Sequence, residues 1–149
     1  MTNYQRTAAW LAACDKTPGD PHHTSVQIGC DLEETSELLS TIRLNHERAQ
    51  QVLERLVADL EWLGSKLKRG DYTAHIPVHL REFALDAICD REVTGNGVAY
   101  LAGMNKDAAD QAVLAANDSK LVDGRPVILD GGKIGKPQGW KAADLSAFV

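Results

Sequence analysis

At 149 residues, with 44% hydrophobic and only 5% aromatic positions, the chain has the length of one ordinary domain and a core that must rest on Leu, Val, Ile and Ala. Its net charge of -5 argues against a nucleic-acid or membrane-surface partner, since both select basic faces. Metal-bridged nucleotides stay open, because a bound cation inverts the local charge. The three cysteines, Cys14, Cys30 and Cys89, form no CxxC pair, which fits a reduced, cytoplasmic protein with small buried thiols. No apolar run reaches membrane-span length, and the N-terminus lacks the layout of a signal peptide.

In chain order, residues 3–16 read as a short helix with Trp10 and Leu11 as core contacts, stopped by Thr17-Pro18-Gly19-Asp20-Pro21. A second helix is expected from Thr24 or Ser25 to Leu44. A third, capped by Asn45, runs to Lys68 on the helical repeat of Val52, Leu53, Leu56, Val57, Leu60 and Leu63. After a connector, Pro77 suits the entry of a fourth helix through Gly103, and Asn105 or Asp107 caps a fifth to Asn117. Pro126 to Leu129, then Asp130-Gly131-Gly132 and Lys133-Ile134, read as a β-hairpin. The expected fold is all-α: a bundle of about four to five helices with a short C-terminal β-hairpin or extended tail, one domain over 1–149 with a helical core at 1–120.

The acidic residues carry the chemical signal. On the second helix, Glu33, Glu34 and Glu37 fall on one side, with Leu32, Leu38, Leu39 and Ile42 on the other. That spacing can aim two or three carboxylates at one cation, but any solvated amphipathic helix shows the same stripe. On the fourth helix, Asp86 and Asp90 share a face with Phe83, Ala87, Val93, Gly97 and Leu101. Carboxylates within an apolar stripe need a cation, a basic partner or a proton. Arg43, Arg48 and Arg55 are available as partners. Two acid-bearing helices together favour a hard divalent cation, Mg²⁺ or Mn²⁺, over zinc.

Asn117-Asp118-Ser119-Lys120, with Arg125, Lys133 and Lys136 following, reads in two ways. It supplies small polar groups and cations for phosphate oxygens, or it is a helix end with a lysine favourably placed on the dipole. The adjacent His22 and His23 read as solvated. His75 and His79, which flank Pro77, read as local. No P-loop, GxSxG or GxGxxG motif occurs.

The run Gln27-Ile28-Gly29-Cys30-Asp31-Leu32-Glu33-Glu34-Thr35-Ser36-Glu37 resembles the EExxE helix of the all-α nucleoside triphosphate pyrophosphohydrolases, the superfamily of MazG, phosphoribosyl-ATP pyrophosphohydrolase and the dimeric dUTPases. Asp86-Ala87-Ile88-Cys89-Asp90 is similar to its second acidic helix, with Ala87 where the ExxD pattern has its Glu. Asn117-x-Ser119-Lys120, Asp123-Gly124-Arg125-Pro126 and the lysine-rich tail resemble bacteriophage-type MazG-like proteins. The resemblance covers most of residues 25–140. It implies a homodimer or homotetramer that hydrolyses a nucleoside triphosphate to monophosphate and pyrophosphate, in a nucleotide-pool or house-cleaning role. It also implies Glu34, Glu37, Asp86 and Asp90 as Mg²⁺ ligands, Glu33 and Glu34 as catalytic, and Asn117, Ser119, Lys120, Arg125 and Lys133 on the phosphates. The alternatives are a non-enzymatic helical oligomerisation module, a nucleotide sensor without turnover, or a phosphoribosyl-ATP pyrophosphohydrolase.

Overall fold

A computed structural model describes residues 1–128 and 134–149. Among these, five α-helices dominate: α1 (Asn3–Ala13), α2 (Pro21–Ser40), α3 (Glu47–Lys68), α4 (Arg81–Leu101) and α5 (Lys106–Asp118). The mainly helical expectation therefore holds. The chain divides into two compact units, Thr17–Pro77 and Met1–Lys16 with Val78–Val149. The stretch 1–120, expected as one helical core, contributes to both.

The Thr17–Pro77 unit is a hairpin of α2 and α3. Helix α2 starts at Pro21, earlier than expected, because Asp20 is its N-cap and accepts a hydrogen bond from the His23 N–H at 2.8 Å. Pro21 then takes the first helical position, where its missing N–H costs nothing. The Pro-Gly-Asp-Pro run is thus both a breaker and a start signal. Helix α3 begins at Glu47, with His46 rather than Asn45 as its cap, accepting from the Ala49 N–H at 3.4 Å. At the far end the buried Ser25 hydroxyl accepts the Ala74 N–H at 2.9 Å and ties down the chain leaving α3. Trp62 and Tyr72 meet nearby, ring centroids 5.8 Å apart.

In the other unit, Thr2 and Gln5 form a reciprocal capping box on α1. Helix α1 lies on α5, where Arg6 grips Asp118 at 2.6 and 3.0 Å and Gln111 at 3.1 Å. Pro77 does not open α4. A 3₁₀ turn, Val78–Leu80, intervenes and the helix begins at Arg81. Asn105 caps α5 by accepting from the Ala108 N–H, and its own N–H donates to the Phe148 carbonyl at 2.8 Å.

The β1 (Leu121–Val122) and β2 (Arg125–Pro126) strands pair antiparallel around Asp123-Gly124. Both turn residues have positive φ, 51° and 74°, as a two-residue hairpin turn of this hand demands. The hairpin expected at 126–134 is bridged at its base by Ile128 and Ile134, while its turn, 129–133, lies outside the described residues. Among the described residues, no helix is long and apolar enough to cross a membrane.

Candidate metal centre

The acidic stripe on α2 separates into two kinds of carboxylate. Glu33 turns toward α3 and forms an ion pair with Lys68, both groups partly buried. The neighbouring backbones explain why the pair forms. Gly29 and Gly64 let α2 and α3 approach so closely that a Cβ on either would sit 2.8 Å from the other's carbonyl oxygen, and Lys68 lies one turn beyond Gly64. Glu34 and Glu37 are more exposed than Glu33 and lie one helical turn apart. The Glu37 carboxylate makes no hydrogen bond or ion pair among the described residues.

On α4 the structure departs from the expected burial of Asp86 and Asp90. Both are exposed, and neither forms an ion pair among the described residues. The apolar residues meant to bury them are themselves exposed, Phe83 at 72% and Leu101 at 85%, and Ala99 is the helix's buried position. Exposed in this way, the two carboxylates need no counter-charge to offset desolvation. Arg43, one of the expected basic partners, instead donates to the Ser40 and Ile42 carbonyls at 2.6 and 2.8 Å, closing the end of α2.

The donor chemistry still suits a hard cation. Glu34–Glu37 and Asp86–Asp90 are two oxygen-only pairs at one-turn spacing, which Mg²⁺ accepts and zinc disfavours. The two pairs belong to different units. No set of three His, Cys, Asp or Glu side chains is grouped as a metal site among the described residues.

The phosphate candidates resolve into a helix end. Lys120 Nζ donates to the Asn117 Oδ1 at 2.9 Å and lies 5.9 and 5.2 Å from the ring centroids of Trp10 and Trp140. The Trp10 and Trp140 indoles donate to the Asn117 and Ala116 carbonyls at 2.8 and 2.9 Å, and the Ser119 hydroxyl also donates to Ala116, at 2.7 Å. These bonds satisfy carbonyls that the last turn of a helix leaves without partners. Arg125 is exposed on β2, and Lys133 lies outside the described residues. Lys68, Trp10 and Trp140 were not legible as partners from sequence. The Gly29–Gly64 pairing that brings Lys68 to Glu33 leaves only two glycines on two helices as its signal.

A further concavity of about 440 Å³ opens between the end of α2 and the first half of α3. The chain matches no protein-family model, no curated protein and no solved structure.

Proposed function

We propose that the chain is a Mg²⁺-dependent nucleoside triphosphate pyrophosphohydrolase, releasing a monophosphate and pyrophosphate, with Glu34, Glu37, Asp86 and Asp90 as its metal-holding carboxylates. The observation that carries this reading is that α2 presents Glu34 and Glu37, two exposed oxygen-donor side chains, at one-turn spacing. The resemblance of this run to the EExxE helix supports the same assignment.

Bound Mg²⁺ would neutralise charge developing on the phosphates and lower the pKa of a bound water. The chain's own groups then have distinct tasks. Glu34 accepts the proton of the water that attacks the α-phosphorus, as the bond to the oxygen bridging the α- and β-phosphates breaks. Glu33, fixed by Lys68, orients that water. Of the expected cations, Lys120 is already committed to the α5 end. Exposed Arg125 is therefore the better candidate to neutralise phosphate oxygens. Mn²⁺ would substitute for Mg²⁺, since both take oxygen ligands. Canonical or modified (d)NTPs rank ahead of phosphoribosyl-ATP on the likeness of the tail to phage-type proteins.

A second reading, a helical self-association module, is favoured by one observation. Helix α4 exposes Phe83, Leu85, Val93, Tyr100 and Leu101, large apolar side chains that a second copy of the chain could cover. Assembly as a homodimer or homotetramer is compatible with both readings.

The test is pyrophosphate release from a panel of NTPs and dNTPs with Mg²⁺ or Mn²⁺, and with EDTA as control. The hydrolase reading expects metal-dependent release, with Glu34→Gln lowering turnover by roughly 10²–10⁴-fold and Glu37→Gln also inactive, both at unchanged helix content. Wild-type turnover in both variants would overturn the assignment. No release from the folded wild-type chain would leave self-association as the reading.

A further inference from the structure

We propose that the cleft at the α2–α3 turn is a base-recognition pocket that selects cytosine or guanine over thymine or uracil, an inference that rests on the nucleotide-hydrolase reading. Its volume, about 440 Å³, falls within the roughly 300–1,000 Å³ of small-molecule sites. Leu39, Leu53 and Val57 are half-buried and line it, giving a flat ring an apolar surface to cover.

The polar rim is fixed before any ligand arrives. The Gln50 Oε1 accepts from the Leu44 N–H at 3.0 Å, and its Nε2 donates to the Glu54 Oε1 at 3.0 Å. Glu54 is thus oriented, and its second oxygen accepts nothing among the described residues. Arg43 is pinned through Nη1 to the Ser40 and Ile42 carbonyls, and its Nε and Nη2 make no hydrogen bond among the described residues. The rim therefore offers an acceptor-only carboxylate and a donor-only guanidinium.

Cytosine and guanine carry the complement, an exocyclic amine for Glu54 and a ring carbonyl for Arg43. Thymine and uracil set an oxygen where the amine would be, which repels a carboxylate, and offer it only their single imide N–H, flanked by oxygens on both sides. Ser40, on the rim, follows Glu37 by three residues, about 4.5 Å of helix rise. The cleft thus opens about one turn of α2 beyond Glu37.

The test uses the full chain in EDTA with dCMP, dGMP, dAMP and dTMP, followed by amide chemical shifts and titration calorimetry. No hydrolysis enters the readout. The expected result is that dCMP and dGMP shift the amides of 39–44 and 50–57 and bind about tenfold or more tightly than dTMP. E54Q, whose amide can donate as well as accept, should bring dCMP and dTMP to within about threefold of each other. L53W should block all four ligands by filling the cleft. If L53W fails to fold, E54Q at its exposed position still decides. Equal binding of dCMP and dTMP, no binding of any monophosphate, or selectivity unchanged in E54Q would overturn the pocket. Pyrophosphate release alongside any of those results would leave the hydrolase reading standing. Base-selective binding without pyrophosphate release from any triphosphate would instead sink the hydrolase reading and keep the pocket.

Discussion

Gly29 and Gly64 meet backbone to backbone: a Cβ built on Gly29 falls 2.8 Å from the Gly64 carbonyl oxygen, and one built on Gly64 falls 2.8 Å from that of Gly29. No side chain can move aside at either contact, because the obstacle is main chain. Alanine at either site gains up to about 1 kcal/mol of helix propensity but must force the helices apart, an overpacking that costs roughly 1–3 kcal/mol. G29A and G64A are therefore expected to lower the urea midpoint. Gly95 on α4 has nothing within 4 Å of an added Cβ, so G95A should raise stability by about 0.5–1 kcal/mol. A G29A or G64A protein as stable as G95A would show that the close crossing does not hold the hairpin.

The clasp at the end of α5 predicts a structural role for Trp140. W140A removes the indole bond to the Ala116 carbonyl and the ring beside Lys120 and Lys136, whose ammonium groups lie 5.2 and 4.6 Å from its centroid. A loss of about 3 kcal/mol is expected, as for other large aromatic truncations. Hydrogen exchange should show α5 and α1 amides losing protection together, since Trp10 caps the same turn. K120M should shift the same amides by a smaller amount. Unchanged α5 protection in both variants would return Lys120 to a purely ligand-binding role.

Asp20 gives the Thr17–Pro77 unit an acid-sensitive start. The backbone N–H of His23 bonds its carboxylate and holds the pKa below the ordinary 3.8, with the His23 charge adding to the effect. A depressed carboxylate pKa stabilises the fold above the unfolded-state value, and that stabilisation is lost as the pH falls through the folded-state value. The unit should therefore loosen below about pH 4, and D20N should flatten this part of the stability–pH curve. D20A should melt lower than D20N at neutral pH, because asparagine still caps and alanine does not. A curve for D20N that matches wild type through the acid limb would remove Asp20 from the account.

The thiols should react in a fixed order. Burial, the largest influence on Cys14, pushes its thiol above the ordinary 9.0, and the residue is only 3% exposed. Cys89 is exposed on α4. Since the thiolate is the nucleophile, Cys89 should label quickly with a maleimide at neutral pH and Cys14 only on unfolding. Mass mapping of the labelled chain checks the order, and early labelling at Cys14 would mean that its surroundings open readily.

The helices, their approximate limits and the acidic positions were legible in the sequence, because helical periodicity and capping chemistry act over a few residues. The misplaced boundaries show where that local logic has two solutions. Asp20-Pro21 serves equally as a stop and as a start, His46 replaced Asn45 as a cap, and Pro77 yielded to a 3₁₀ turn before Arg81. Likewise the earlier Asp123-Gly124 hairpin carried as clear a turn signal as the one expected at 126–134. What only the tertiary structure decided is which charges are already spent. Glu33 is committed to Lys68, 35 residues away, because two glycines bring their helices together. Lys120 is committed to an amide and two tryptophans from opposite ends of the chain. Asp86 and Asp90 are exposed because α4 finds little to bury against within its own unit. Sequence fixes which carboxylates and cations a helix carries, while their pairing is set by contacts between residues far apart in the chain, which no local pattern encodes.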